Sequence, residues 1–325
     1  MKTPSYWNKQ SLIARLLLPV GKLYSAATAL RLRLKQPQKA KVPVICIGNL
    51  TAGGTGKTPV AAAMATLLRQ CGYNPAFVSR GYGGSLSGVI VDREKHTARQ
   101  VGDEPLLLAR QAPVSINPDR YQAAVRAVAE GADVVIMDDG FQNPGLYKDI
   151  SLVVFDGEFG IGNGYPVPAG PLREELNNGF KRASAAIIIG NDRHHLSAKL
   201  QGLPIFYAHM TAELPPLSGS KVIAFAGIGR PEKFYASLRE NGVEPAETID
   251  FPDHHNYSET ELQDLIDRAW LTDAELITTA KDFVKIPSSM QHHFKVLEIK
   301  ITWDDEKELK RFINNNMPLK TAAEI

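Results

Sequence analysis

The chain has 325 residues, 44% of them hydrophobic and 22% charged, and a net charge of only +2. That is enough for two domains and a large core, and it excludes a disordered, collagenous or disulfide-stapled protein. Charge is unevenly spread. Twelve Lys or Arg precede the first acidic residue, Asp92, and 25 basic and 35 acidic residues remain, so the N-terminal end suits something anionic.

In chain order, Ser11 to Lys35 carries Leu12, Leu16, Val20, Leu23, Ala27, Leu30 and Leu34 at three- and four-residue steps. This predicts a helix, kinked or split at Pro19 and Gly21. Arg15, Lys22 and Arg31 interrupt it, so the longest uncharged run, Leu23 to Leu30, is far short of the ~20 residues of a bilayer span. An apolar face with basic flanks and Tyr6, Trp7 and Tyr24 fits a helix lying in a membrane interface; the alternative is a surface helix packed on its own domain. No small-residue cleavage site follows a clean apolar stretch, so no secretory signal is expected. Cys46 and Cys71 are unclustered, which suits a reducing compartment and offers no metal spacing.

The apolar run Val42 to Ile47 leads into Thr51-Ala52-Gly53-Gly54-Thr55-Gly56-Lys57-Thr58, and an alanine-rich segment, Val60 to Arg69, leads out. Strand, glycine-rich loop and helix in that order form a phosphate loop: backbone N–H groups and the helix N-terminus face an anion. Lys57 would reach the β- and γ-phosphates and the Thr58 hydroxyl would ligate Mg²⁺. Thr51 stands where the strict pattern has glycine, and Pro59 suits the first helical turn.

Short strands are expected at Ala76 to Ser79, Val89 to Val91 and Val114 to Ile116. The first ends in Arg80-Gly81-Tyr82-Gly83-Gly84, a loop with a cation and an aromatic. Gly102-Asp103-Glu104-Pro105 opens a helix, where Asp103 and Glu104 serve as caps or place a general base beside the phosphate loop. Ala132 to Met137 is an apolar strand ending in Asp138-Asp139-Gly140-Phe141-Gln142, the pattern whose carboxylate holds Mg²⁺ in phosphate-loop proteins. Strands at Ile150 to Asp156 and Ala185 to Gly190 flank a long Gly- and Pro-rich loop, Gly157 to Pro171, and Leu172-Arg173-Glu174. The connection between two domains is expected in 191–218. Beyond it come strands at Val222, Leu276 to Thr279 and Val296 to Ile301, helices from Pro231, from Ser258 and over Asp305 to Asn314, and a polar loop with Asp253-His254-His255.

The alternation argues for an α/β protein with parallel sheets. The reading is a P-loop NTPase-like parallel-sheet domain over 41–210, a second, smaller α/β domain over 211–325, and an N-terminal amphipathic helix within 1–40. The loop and Asp138-Asp139 call for a nucleoside triphosphate with Mg²⁺. The guanine signature Asn-Lys-x-Asp is absent, since Thr279-Ala280-Lys281-Asp282 has another order, so ATP is expected. Transfer to a hydroxyl needs a carboxylate near the γ-phosphate, and Asp103 is the leading candidate by position.

The ordered set Gly48-Asn49-Leu50 with the phosphate loop, Ser79-Arg80-Gly81-Tyr82-Gly83, Gly102-Asp103-Glu104-Pro105, Asp138-Asp139-Gly140-Phe141-Gln142, Pro171-Leu172-Arg173-Glu174 and Asp253-His254-His255 resembles the tetraacyldisaccharide 4′-kinases, the lipid A kinases of Gram-negative bacteria. The resemblance covers nearly the whole chain, and Thr51 agrees with the family's own loop. It implies transfer of the ATP γ-phosphate to the 4′-hydroxyl of a tetraacylated glucosamine disaccharide 1-phosphate, with MgATP, on the cytoplasmic face of the inner membrane; a monomer is expected. It also implies that Asp103 is the base with His254 in support, and that Asp138 and Asp139 serve the metal. Arg80, Tyr82, Glu104, Arg120, Gln142, Arg173 and Glu174 would line the nucleotide and lipid sites. Asn143 departs from the aromatic or histidine frequent there. The acyl chains must stay in lipid, which favours membrane contact for the N-terminal helix.

Two other readings compete. A P-loop switch or chaperone ATPase would explain the loop and Asp138, but needs neither the basic amphipathic N-terminus nor the histidine loop. Nucleic-acid binding is disfavoured by the leucine spacing, which builds an apolar face rather than a phosphate-tracking strip.

Overall fold

The computed structural model describes residues 4–218 and 221–317. Twelve strands form one sheet: β1 Val44–Gly48, β2 Pro75–Ser79, β3 Val89–Ile90, β4 Val114–Ile116, β5 Val134–Asp138, β6 Ile150–Asp156, β7 Ala185–Ile189, β8 Ile205–Glu213, β9 Lys221–Ala226, β10 Glu247–Asp250, β11 Ala274–Thr279 and β12 Phe294–Trp303. Their order is β10-β9-β11-β12-β8-β7-β6-β1-β5-β2-β4-β3. All neighbours are parallel except β3 with β4 and β8 with β12. These antiparallel pairs qualify the all-parallel expectation.

The central strands are buried on both faces, as helices on each side require. Pleating sends Ile45 and Ile47 of β1 into one core and Val44 and Cys46 into the other. Each fully buried isoleucine contributes roughly 1.5–3 kcal/mol. The helix Lys57–Gln70 covers the first of these faces with Val60, Ala61, Met64, Leu67 and Leu68. Smaller cores around Phe225 and around Leu238 organise the C-terminal lobe.

β8 joins the two lobes. Ile205 to Ala208 pair with β7, and Ala208 to Glu213 pair with β12. The sequence reading placed only weak elements here, and its division at 210 falls inside this strand. The C-terminal helix Glu306–Asn316 then returns to the first lobe, placing Leu309, Ile313 and Met317 in the core that holds Ile45 and Met64. Phe312 packs against Phe206 of β8 with ring centroids 5.2 Å apart.

The N-terminal helix runs unbroken over Leu12–Leu34, with Ser11 as its cap and Pro19 inside it. It does not split at Pro19 and Gly21. Its buried face is a line of small residues, Ala14, Gly21, Ser25 and Thr28. At Gly21 a Cβ would come within 2.7 Å of the Pro166 carbonyl oxygen. The long loop after β6 grips this end of the chain: Trp7 Nε1 donates to the Pro168 carbonyl at 3.0 Å and Asn163 Nδ2 to the Tyr6 carbonyl at 3.0 Å. Leu12, Leu16, Leu23 and Leu34 face outward, each more than 70% exposed. With 23 residues and an 18-residue stretch of mean hydropathy 1.2, the helix is long and apolar enough to cross a membrane by length and composition. Arg15, Lys22, Arg31 and Arg33 nevertheless divide its charge-free stretches.

Candidate active site

The phosphate loop sits at the carboxyl end of β1, beside the ends of β5 and β6, where open α/β sheets bind ligands. Asn49 shapes it from beneath: its Nδ2 donates to the Thr51 carbonyl at 2.6 Å and lies 3.2 Å from Thr55 Oγ1. Thr51 and Thr55 are buried, and Ala52 N–H donates to the Pro171 carbonyl at 2.6 Å. Gly56 takes φ +82°, a left-handed conformation that favours glycine, and the ends of Met210 and Ile189 close over it. No atom lies within 4 Å of where a Cβ of Gly53 or Gly54 would be, leaving room for phosphate oxygens.

Lys57 Nζ lies 3.9 Å from Asp139 Oδ1, and Arg173 donates to the same oxygen at 2.8 Å. Asp139 has φ +48°, a left-handed conformation that aspartate tolerates better than branched residues. Burial works to raise its carboxyl, but Lys57 and Arg173 outweigh this and hold it below the ordinary carboxylate range. Asp138 is different. Burial, with Glu104 adding to it, pushes its carboxyl up to about 7 against the pull of Lys57. Thr58 Oγ1 donates to Asp138 Oδ2 at 3.3 Å, while the buried Oδ1 has no hydrogen-bond partner among the described residues.

That orphaned oxygen next to a threonine hydroxyl fits a hard cation with oxygen ligands. No cluster of three or more His, Cys, Asp or Glu suited to a metal occurs among the described residues. A site made of Thr58, Asp138, phosphate oxygens and water suits Mg²⁺, which keeps several waters.

Asp103 and His254, 151 residues apart in the chain, meet across the lobes: His254 Nδ1 is 2.9 Å from Asp103 Oδ2. Burial alone would raise Asp103, but the His254 hydrogen bond and Lys281 hold it down at about 2. The same hydrogen bond raises the imidazole above its ordinary value, against burial and Lys281. His254 has φ +59°, and its N–H donates to the Gly227 carbonyl at 3.1 Å. Gly227 N–H in turn donates to the fully buried Asp282 at 3.0 Å. His255, the other histidine of the loop, turns away to Glu261 at 3.0 Å and stacks on Phe251.

Arg120 is buried at the start of helix Arg120–Ala129, with its Nε unpartnered among the described residues. Burial and the neighbouring Arg80 pull its guanidinium down to about 10. Arg80 and Tyr82 are exposed on their loop, with Tyr82 73% exposed. Gln142 and Glu174 are committed to a brace: Gln142 Nε2 donates to the Asn49 carbonyl and to Glu174 Oε1, both at 3.0 Å, and buried Glu174 pairs with Arg182. Asn143 accepts from Gly145 N–H at 2.9 Å, closing a turn rather than facing the loop. A cleft of about 620 Å³ borders Asp253 and is walled by Asn8, Phe159, Arg230 and Phe251; the phosphate loop is not part of it.

Sequence reasoning gave Lys281 and Asp282 no role, although their pattern has a local signal. β11 ends at Thr279, whose hydroxyl caps the next turn by accepting from Asp282 N–H at 3.1 Å. Lys281 therefore projects from a strand end, as Asp138 does.

The chain matches the sequence profile of the family described as Tetraacyldisaccharide-1-P 4′-kinase over residues 13–318. It is 45% identical to a Tetraacyldisaccharide 4′-kinase of Paramagnetospirillum magneticum over 309 residues, covering 94% of this chain and 95% of the relative. It is 49% identical to that of Parvibaculum lavamentivorans over 297 residues, 88% of this chain and 87% of the relative. A crystal structure of LpxK from Aquifex aeolicus in complex with ATP superposes with a TM-score of 0.76 at 28% identity, covering 94% of this chain and 100% of the other.

Proposed function

We infer a mechanism from one premise: the chain belongs to the tetraacyldisaccharide-1-P 4′-kinase family. It is an ATP-dependent lipid kinase that transfers the ATP γ-phosphate to the 4′-hydroxyl of a tetraacyl glucosamine disaccharide 1-phosphate in lipid A biosynthesis, and it uses Mg²⁺. The observation that carries our assignment of roles is the 2.9 Å contact between Asp103 and His254, which brings a carboxylate and an imidazole from two lobes together.

In this reading the amides of Thr51 to Gly56 and the Lys57 ammonium receive the phosphates. Asp138 and the Thr58 hydroxyl would hold the metal, which would supply positive charge against the phosphates. Asp139 fixes Lys57 and Arg173 where transferring charge develops. Asp103 accepts the proton of the 4′-hydroxyl as the new O–P bond forms and the bond to ADP breaks. So acidic a carboxylate suffices, because phosphoryl transfer depends on positioning more than on early proton removal. His254 orients Asp103. Arg120, whose buried Nε has no partner among the described residues and which lies within reach of the charges of Asp138 and Asp139, serves the transferring phosphoryl group. Arg80, Tyr82 and Glu104 border the acceptor. Gln142 and Glu174 act through the brace that holds Asn49. The cleft beside Asp253 takes the disaccharide.

The outward-facing leucines of the N-terminal helix support peripheral membrane association, with small residues against the protein and apolar ones against lipid. We place the protein as a monomer on the cytoplasmic face of the inner membrane, where ATP is available, and assign it no nucleic-acid partner. The division into a helix within 1–40, a nucleotide-binding lobe over 41–210 and a C-terminal lobe over 211–325 is kept as a description of function, with β8 shared between the last two.

The test begins with ATP consumption in detergent micelles with and without the disaccharide 1-phosphate. Turnover should need the lipid, and lipid-independent hydrolysis would favour an ATPase switch instead. Asp103→Asn and His254→Ala should then lower kcat by ~10²-fold with ATP binding unchanged, and Lys57→Ala should lose a similar factor. The double mutant should cost less than the product of the two single losses, since the pair acts as a unit. Wild-type kcat in Asp103→Asn would remove that residue as the base.

A further inference from the structure

Lys281 occupies a position that the assignments above leave without a task. Its Nζ lies 3.4 Å from His254 Nε2, 3.7 Å from Asp103 Oδ2 and 3.8 Å from Glu104 Oε1. One ammonium therefore touches both members of the pair and the carboxylate beside them. It projects from the C-terminal lobe at the end of β11, on the four-residue helix Ala280–Phe283 that packs against the helix carrying Asp103. Its side chain is about a quarter exposed, so water screens it only partly.

We propose that Lys281 is a positioning residue that selects the tautomer and charge of His254. An ammonium can only donate. Across 3.4 Å the ammonium favours Nε2 as an acceptor over Nε2 as a second N–H, which matches a ring proton on Nδ1 facing Asp103 at 2.9 Å. Lys281 thereby keeps His254 a neutral donor to an ionised Asp103. An imidazolium would instead place a second cation on the base by direct hydrogen bond and weaken it as a proton acceptor.

The other charges facing the ring are few. Asp253 Oδ1 lies 3.9 Å from Nε2 on the ring's own loop and Asp103 comes from the facing helix, while its neighbour Glu104 meets Lys281 and Lys285 acts on Asp103 from beyond the Ala280–Phe283 turn. Without Lys281, Asp103 and Asp253 flank the imidazole, and of the two lysines that act on Asp103 only Lys285 remains. The ring then takes a proton on Nε2 at a higher pH, and Asp103 loses a cation that holds it ionised. Both changes move in the same direction.

The inference rests on the reading of Asp103 as base, and the experiment separates the two. The pH dependence of kcat is measured for the full-length wild type, Lys281→Met, Lys281→Arg and Asp103→Asn with MgATP and the disaccharide lipid in micelles. Lys281→Met should move the acidic limb upward by about one pH unit or more, recover at alkaline pH, and keep the KM for ATP. Lys281→Arg should restore most of the wild-type limb. An equal loss at every pH, or no change, overturns the role of Lys281. A wild-type profile in Asp103→Asn overturns the base reading instead. Should Lys281→Met fail to fold, ring-¹⁵N spectra of the wild type at pH 8, with His254 assigned from His254→Ala, still decide. A neutral ring with Nε2 unprotonated is the state the proposal requires, and protonation at Nε2, alone or beside Nδ1, overturns it.

Discussion

Asp282 shows how a buried residue supports the site without touching it. It is fully buried and accepts from Gly227 N–H, Thr279 and Lys285 Nζ, the last at 2.8 Å. Lys285 is itself only 3% exposed. The Gly227 carbonyl accepts from His254 N–H, so the carboxylate supports the strained His254 backbone through a single residue. Removing one partner of such a pair leaves an uncompensated buried charge. Asp282→Ala should therefore lower Tm by on the order of 10 °C, from a loss of ~3–5 kcal/mol. Calorimetry would check this, and a shift under about 2 °C would show that the pair is not structurally important.

Among the elements, the N-terminal helix has two faces with separate tasks. Small residues let it approach the loop after β6: Ser25 Oγ accepts from Glu175 N–H at 3.0 Å and Gly21 lies against Pro166. The outward leucines make no such contacts, and Leu16 and Leu23 are each 72% exposed. Glutamate at these two positions should abolish co-sedimentation with anionic vesicles and shift stability by no more than ~0.5 kcal/mol. Gly21→Leu should do the reverse, lowering Tm through the clash with the Pro166 carbonyl and leaving the apolar face intact. Salt should weaken wild-type binding only in part, because apolar burial contributes beside the basic residues. Undiminished co-sedimentation in the glutamate variant would move the anchor elsewhere.

At the scale of the whole molecule, the two lobes share a sheet and cannot be cut apart cheaply. β8 gives its first half to β7 and its second half to β12, and the C-terminal helix brings Leu309, Ile313 and Met317 back to the first lobe's core. A chain ending after Ser218 would expose β8 as an open edge and uncover that core. It should show no cooperative unfolding transition and should aggregate. A two-state melt near that of the full-length protein would mean that the nucleotide-binding lobe folds alone. The same continuity explains how Asp103 and His254 meet: β10 and β11, both paired with β9, end in the His254 loop and in the Ala280–Phe283 turn, which packs on the helix that follows Gly102.

The phosphate loop, the β5 end with Asp138 and Asp139, and the N-terminal helix were legible in the sequence because each is local. A strand, its loop and its helix lie within 30 residues, and their periodicity and glycines need no distant partner. β8 and β10 were missed for the opposite reason. β8 alternates only partly, with Phe206 and Ala208 buried and His209 and Met210 exposed, because it changes neighbours midway. β10 is a short edge strand, Glu247–Asp250, with exposed Thr248 and Asp250. In the site, Asp103 and His254 were named from motifs, but which of His254 and His255 faces Asp103 was settled only by folding. So were the link through Lys281 and the commitment of Gln142 and Glu174 to each other. Contacts between residues 150 apart depend on the register of the shared sheet, and a register is a property of paired strands that no single segment encodes.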